Sequence, residues 1–441
     1  MNQIIVDLKA VGKSFAAADG TPRTVLDKVD FKLREREIVA LLGQSGSGKS
    51  TLLRIMAGLV EADVGDVLYR GQPLYGPARG ISMVFQSFAL FPWLTVQQNV
   101  EIGLEARGVS KDEREKRAEK VIDMIGLSGF EGALPRELSG GMRQRVGIAR
   151  ALVVDPDVLL MDEAFSALDV LTGERLRDDI LELWEEEQIS TKAILVVSHN
   201  IQEAIMMADR VLIFASDPGR VRYEMKIDLP RPRDAESADV RNLVDEIYAV
   251  MTAGRVRVGK TTEELEPIRL DHRLPDADIG LMEGILERLM EEPFLGHADL
   301  PQLAEETGLT DEELLPAAEA LALLEFADLV GGDVNLTDLG KKYVAAEHEK
   351  RQAIFAKQLL KRISLAAHIY HSLQQDPDGE LKEEHFLNLL SESMNKEEAE
   401  RVLKVAIEWG RHGEVYSYNY NTGMVHLPEA EEEAADDSPA A

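Results

Sequence analysis

Cysteine is absent from the 441 residues, which excludes disulfides and thiolate metal sites and leaves the compartment open. Long apolar runs are absent too: no stretch approaches the roughly 18 uninterrupted apolar residues that a membrane-spanning helix needs. The N-terminus, Met1-Asn2-Gln3-Ile4-Ile5-Val6, lacks the charged-then-apolar pattern of a secretory signal and reads as the start of a strand. Positive charge is scarce. Lys and Arg number 49 against 80 Asp and Glu, and the net charge of −31 argues against a nucleic-acid partner, because phosphate backbones demand a positive surface. The deficit is uneven, since from Asp271 onward 14 basic residues face 37 acidic ones. What remains is ordinary globular composition, 45% hydrophobic, in a chain long enough for two or three domains with their own cores.

Up to about residue 228, short β-branched runs alternate with helical patterns, which predicts an α/β architecture with a largely parallel sheet. The runs at 38–42, 81–85, 158–161 and 193–197 are continuously apolar, as strands buried on both faces should be. Helices are expected at 112–125 and from Ser139. The proline break Leu229-Pro230-Arg231-Pro232-Arg233, a helix at 240–251 and a polar linker at 254–277 follow. Residues 278–427 change style. Ile279, Met282, Ile285, Leu286 and Leu289 form one helical face. Thr310-Asp311-Glu312-Glu313 matches a capping box before the apolar-periodic 314–324. The runs 326–330 and 334–336 flank Gly331-Gly332-Asp333, a hairpin signal. The order recurs, with helical patterns at 383–394 and 396–409 before strand-like 414–418 and 423–427, so two tandem winged-helix-like units are expected, mostly helical α+β. Tyr416, Tyr418 and Tyr420 alternate at strand spacing and are expected on one sheet face. Boundaries are placed at 1–234, 235–277 and 278–428, with an acidic, Ala-rich tail at 429–441 expected to be disordered.

The string Gly43-Gln44-Ser45-Gly46-Ser47-Gly48-Lys49-Ser50 fits G-x-x-x-x-G-K-[ST] between an expected strand and a helical run opening at Thr51. Its glycines let the backbone curl so that successive N–H groups face phosphate oxygens, and the helix start adds partial positive charge. Lys49 supplies a full charge to the β- and γ-phosphates, and the Ser50 hydroxyl suits Mg²⁺. The string Val158-Leu159-Leu160-Met161-Asp162-Glu163 is an apolar strand ending in two carboxylates, which sets the pair at a strand edge beside that loop. Asp162 is expected to hold Mg²⁺ through water, and Glu163 to activate the attacking water as general base.

Leu138-Ser139-Gly140-Gly141-Met142-Arg143-Gln144-Arg145 resembles the signature motif of ATP-binding cassette ATPases, a far more specific string than the phosphate loop. The resemblance covers about residues 1–234 and implies a P-loop NTPase cassette with a helical subdomain, ATP and Mg²⁺ as cofactors, and a site that only two chains complete. Ser139, Gly140 and Gly141 of one chain then face the γ-phosphate held by Lys49 of the other. By the same resemblance Phe15 stacks on adenine, and Gln86 senses Mg²⁺ and water. Ser166-Ala167-Leu168-Asp169 communicates across the dimer, and His199 holds the γ-phosphate. Met142 stands where the superfamily commonly has glutamine.

The stretch after Gln86, with Phe91-Pro92-Trp93, matches the region that meets the membrane subunit in importers, although both aromatics could instead pack internally. Asp217-Pro218-Gly219-Arg220-Val221 and the string from Asp228 to Asp234 are similar to the ending of the nitrate/sulfonate/taurine importer branch. That likeness implies a peripheral subunit on the cytoplasmic face of a bacterial-type membrane, working with permease subunits and indirectly with a solute-binding protein. The cassette pairs either with its own copy or with a different cassette. A soluble cassette ATPase that remodels other complexes is the rival, disfavoured because such proteins often carry two cassettes and this chain has one phosphate loop. Residues 278–427 resemble the AAA-associated domain fused to cassettes of that branch. A regulatory or dimer-bracing role, a DNA-binding role, and a ligand-sensing or structural role stay open, with the acidic 311–324 stretch weighing against DNA.

Overall fold

The computed structural model describes residues 3–16, 22–44, 46–216, 218–235, 237–252, 274–330, 332–391, 394 and 396–428. Ser45 of the phosphate loop, Asp217, Gly331 of the hairpin signal, most of the expected linker and the expected tail at 429–441 lie outside the described residues. The chain divides into two compact units, Met1–Ala16 with Pro22–Ile247, and the described residues from Tyr248 onward.

The first unit runs β1 (Ile4–Ala16), β2 (Pro22–Arg34), β3 (Glu37–Leu42), α1 (Lys49–Met56), β4 (Val64–Tyr69), β5 (Gln72–Pro73) and β6 (Ile81–Val84). It continues through α2 (Val96–Ala106), α3 (Lys111–Met124), α4 (Gly140–Leu152), β7 (Val158–Asp162), α5 (Val170–Glu185) and β8 (Ala193–Ser198). It ends with α6 (Ile201–Met207), β9 (Arg210–Ala215), β10 (Arg220–Lys226) and the start of α7 (Ala238–Thr252). One sheet is antiparallel, ordered β2-β1-β4-β5, and the other is ordered β10-β9-β3-β8-β7-β6, parallel except at β10.

β7 and β8 are buried at every position, so both faces of the parallel sheet must be covered. The two-residue period of the strands divides their side chains between two cores. Val39, Leu41, Leu160 and Leu195 pack with Leu8, Val29, Leu52 and Met56 on the side of the antiparallel sheet and α1. Ile38, Leu159, Met161 and Ile194 pack with Ile148 of α4, Leu176 and Ile180 of α5 and Met207 of α6. A third cluster, including Val100, Leu104, Ile122 and Val146, joins α2, α3 and α4 into a helical subdomain. Parallel pairing aligns the strand ends, with Leu42 opposite Ser198, Asp162 opposite Val197 and Val84 opposite Met161. The loops that leave those ends carry the polar motifs, as open parallel sheets arrange them.

In the second unit α8 (Ile279–Met290), β11 (His297–Asp299), α9 (Leu300–Thr307), α10 (Asp311–Leu323), β12 (Ala327–Val330) and β13 (Asp333–Leu336) form one group. After α11 (Asp338–Val344) and α12 (His348–Arg362), the same order returns as α13 (Ser364–Gln375), β14 (Glu380–Lys382), α14 (Glu383–Leu390), α15 (Lys396–His412), β15 (Ser417–Asn419) and β16 (Met424–His426). Each group closes a three-stranded sheet with its hairpin, β11-β13-β12 and β14-β16-β15. The expected shared face of Tyr416, Tyr418 and Tyr420 does not form. Tyr416 is fully buried and donates to Ala406 O at 2.8 Å, whereas Tyr420 is exposed. Its ring lies under Gly410, where a Cβ would come within 2.1 Å, so Tyr416 plugs the core before the strand begins.

Candidate active site

The phosphate loop bends at two glycines in the left-handed region, Gly46 at φ +74° and Gly48 at φ +94°. A Cβ on Gly48 would also stand 2.9 Å from the Leu26 side chain, so the position needs glycine for space as well as conformation. Gly48 caps α1, which opens at Lys49, with Ser50 and Thr51 in its first turn. Lys49 is buried and donates to Gly43 O at 2.6 Å and Gln44 O at 2.8 Å, which holds its ammonium within the curl of the loop. The Ser47 hydroxyl is buried without a hydrogen-bond partner among the described residues, an orphaned polar atom of the kind that an anion or its water satisfies.

Strand register brings the acidic pair to this loop. Ser50 Oγ donates to Asp162 Oδ1 at 2.8 Å. Glu163, one residue on, sits at φ +48° with its N–H bonded to Val197 O at 3.1 Å, and its Oε2 accepts from Gln86 Nε2 at 2.7 Å. His199 Nδ1 is 3.8 Å from the same oxygen. Burial pushes the Asp162 carboxyl above the usual aspartate range, against the Ser50 hydrogen bond and with the Glu163 charge adding to the rise. Glu163 moves the other way: its contact with His199 lowers it, and the Lys49 charge adds to this against the cost of burial. A buried acid beside a hydroxyl and an amide oxygen is a set of hard oxygen donors that fits Mg²⁺, and a cation there would reverse the rise at Asp162.

The remaining residues singled out by sequence lie on other elements. Ser139 caps α4 through the Met142 N–H at 3.3 Å, and its helix opens on Gly140 and Gly141. A Cβ on Gly141 would stand 2.5 Å from Thr172, so glycine lets the starts of α4 and α5 approach. No described hydrogen bond of Ser139, Gly140 or Gly141 reaches the phosphate loop. Asp169 caps α5, accepting from Thr172 N at 3.1 Å, and its contacts with Thr172 hold its carboxyl below the usual range. Phe15 lies near the end of β1 with an exposed ring and Lys13 Nζ 5.3 Å from its centroid. Phe91 and Trp93 are exposed, with ring centroids 5.7 Å apart.

Sequence reasoning missed the clasp on the loop after Gln86. Phe88 and Ala89 both take left-handed backbone, at φ +58° and +47°. Arg150 of α4 donates to Phe88 O at 2.9 Å and Ala89 O at 2.5 Å, while Arg143 lies over the Phe88 ring. An arginine on an amphipathic helix carries no sequence signal for such a role.

A family model for "ABC transporter" matches residues 26–166, and one for "C-terminal AAA-associated domain" matches residues 301–419. An uncharacterized ABC transporter ATP-binding protein of Methanocaldococcus jannaschii is 45% identical over 221 residues, half of this chain and 82% of that protein. The nitrate import ATP-binding protein NrtD of Synechocystis is 42% identical over 55% of this chain and 91% of its own length. The taurine import ATP-binding protein TauB of Rhizobium johnstonii is 43% identical over 52% of this chain and 86% of its own. A solved dimeric cassette in a post-hydrolysis state with ADP and Pi is 34% identical, covering 51% of this chain and all of that one, with a TM-score of 0.46.

Proposed function

Since the chain belongs to the ATP-binding proteins of ABC transporters, we propose that it is the ATP-hydrolysing subunit of an importer of small anions of the nitrate, sulfonate and taurine kind. The observation that carries the reading is the meeting of Ser50, Asp162, Gln86, Glu163 and His199 at the strand ends beside Lys49. The solute class rests on the names of the nitrate and taurine relatives.

Lys49 leaves the Gly43 and Gln44 carbonyls for the β- and γ-phosphates of ATP, whose oxygens also meet the N–H groups of Gly46, Ser47 and Gly48. Phe15 stacks on the adenine. Ser50, Asp162 and Gln86 would hold Mg²⁺, which would supply positive charge to neutralise the phosphates. Glu163 orients a water and takes its proton as the oxygen attacks the γ-phosphorus, and the bond to the β–γ bridging oxygen breaks to leave ADP and phosphate. His199 contacts the γ-phosphate from its own chain. Ser139, Gly140 and Gly141 come from a second cassette, because within one chain they cap α4 without reaching the loop. Asp169 acts across the same dimer. Phe91 and Trp93, exposed beside the loop that follows Gln86, dock the permease at the cytoplasmic membrane face. No helix of the described residues is long and apolar enough to cross a membrane. The second unit regulates turnover, a role suggested by its acidity and by the absence of any catalytic string in its sequence.

Phosphate release by the full chain tests the reading. Turnover that needs Mg²⁺, is lost in Lys49→Ala, and rises steeply with protein concentration is expected. Loss of labelled nitrate or taurine uptake on deleting the gene identifies the importer. Mg²⁺-independent turnover, or unchanged uptake of both solutes, would overturn the respective half.

A further inference from the structure

The reaction as read above makes no use of the Leu229-Pro230-Arg231-Pro232-Arg233 strap, yet both of its arginines bind one short helix. α6 has seven residues, far below the roughly 12 at which a helix begins to persist alone. Its leading end is His199-Asn200, where Asn200 Oδ1 accepts from Glu203 N at 2.8 Å and Asn200 N donates to Ser198 Oγ at 3.0 Å. Its trailing carbonyls, which a helix cannot satisfy internally, go to the strap. Arg231 donates to Met207 O at 2.6 Å, and Arg233 donates to Ile205 O and, at 2.6 Å, to Ala208 O.

Each arginine is anchored in turn. Arg233 also donates to Leu229 O at 3.1 Å and 2.8 Å, closing the strap on itself. Arg231 bonds Glu185 at the end of α5 at 2.8 Å and Asp209 at 2.9 Å. Asp209 accepts from Ile38 N at 2.8 Å, at the start of β3. Pro230 and Pro232 stiffen the backbone between the arginines. Burial lowers Arg233 only to about 10, so its side chain stays cationic where the helix dipole favours positive charge.

Ile201, Ala204, Ile205 and Met207 are buried and hold α6 sideways. Apolar contacts of that kind resist sliding along the axis far less than directional hydrogen bonds do. The arginine bonds lie at the end of the helix and fix that coordinate, and a rod about 10 Å long carries the position to its other end. We infer that Arg231 and Arg233 are positioning residues for turnover: the strap sets the axial position of α6 and thereby places His199 beside Glu163. The inference rests on the reading of His199 as the γ-phosphate contact.

The test uses the full chain with Arg231→Ala and Arg233→Ala together. The expected result is a kcat lower on the order of tenfold, with KM for ATP changed by less than about twofold. The pair is then combined with His199→Ala and followed by single-turnover phosphate release, which reads rates too slow for the steady state. There the strap substitutions should add less than about twofold, since the group they position is gone. An unchanged kcat in the strap variant, or the full tenfold loss repeated without His199, overturns the inference. Should the alanine pair fail to fold, Arg233→Lys enters the same cycle with the same two outcomes. Full turnover in His199→Ala alone would instead refute the reading of His199, and so the two failures are told apart.

Discussion

Replacing Glu163 by glutamine alters one charge and almost no volume. The backbone N–H still reaches Val197 O, the side chain still spans toward Gln86 and His199, and the left-handed backbone at φ +48° is unchanged. What disappears is the proton acceptor. General bases contribute about 10² to 10⁴ in rate, which corresponds to about 3–5 kcal/mol of barrier. Turnover of Glu163→Gln should fall by at least about a hundredfold, while ATP affinity stays level or improves because a negative charge near the phosphates has gone. Steady-state phosphate release and equilibrium ATP binding measure the two quantities separately. Retention of more than about a tenth of normal turnover would refute the assignment.

The pH profile supplies a second arm. Contact with His199 depresses the Glu163 carboxyl below the usual glutamate range, so the base is ionised throughout the neutral region. For a depressed acid, the stabilisation of the folded state is complete above the ordinary glutamate value and is lost as pH falls through the depressed one. Turnover of the natural chain should therefore fail only well below neutrality, and residual turnover of Glu163→Gln should lack that acid limb.

Arg150→Met removes two charge-assisted bonds, about 1.5–3 kcal/mol each, and lets Phe88 and Ala89 leave left-handed backbone that costs about 1–2 kcal/mol each. The lost bonds outweigh the relieved strain by about 1–2 kcal/mol, so the melting temperature should fall by a few degrees while kcat falls and amide exchange at residues 86–90 accelerates; unchanged exchange would contradict the clasp. Trp93→Ala should leave stability within about 0.5 kcal/mol and basal ATPase intact, because the ring is 71% exposed, yet reduce permease-stimulated turnover. Equal stimulation would move the docking surface elsewhere. Gly410→Ala would press a methyl to within 2.1 Å of the buried Tyr416 ring, and should destabilise the second unit by about 1–3 kcal/mol. Calorimetry resolves this as a lowered transition for that unit, and an unshifted thermogram would deny the packing.

Whatever depends on neighbours along the chain was legible beforehand. The phosphate loop declares itself because its glycines, lysine and serine act within eight consecutive residues, Gly43 to Ser50, whose backbone they shape. The buried strands are visible because a strand covered on both faces must be apolar at every position, as β7 and β8 are. The capping box at Thr310 is likewise local, closed by Glu313 three residues on. Tyr416 was misplaced for the converse reason: period-two spacing assigns it to a sheet face, but the space under Gly410, six residues earlier on another element, draws it into the core.

What tertiary structure alone decided is which distant groups meet. Nothing in the local pattern of Arg150 marks it for the Phe88 and Ala89 carbonyls about sixty positions away, nor the strap arginines for the end of α6. The composition of a motif dictates backbone shape because sterics and hydrogen bonding act over a few residues. The partners of a long, flexible cation are set by where the parallel sheet delivers unsatisfied carbonyls, and that is a property of the packed chain.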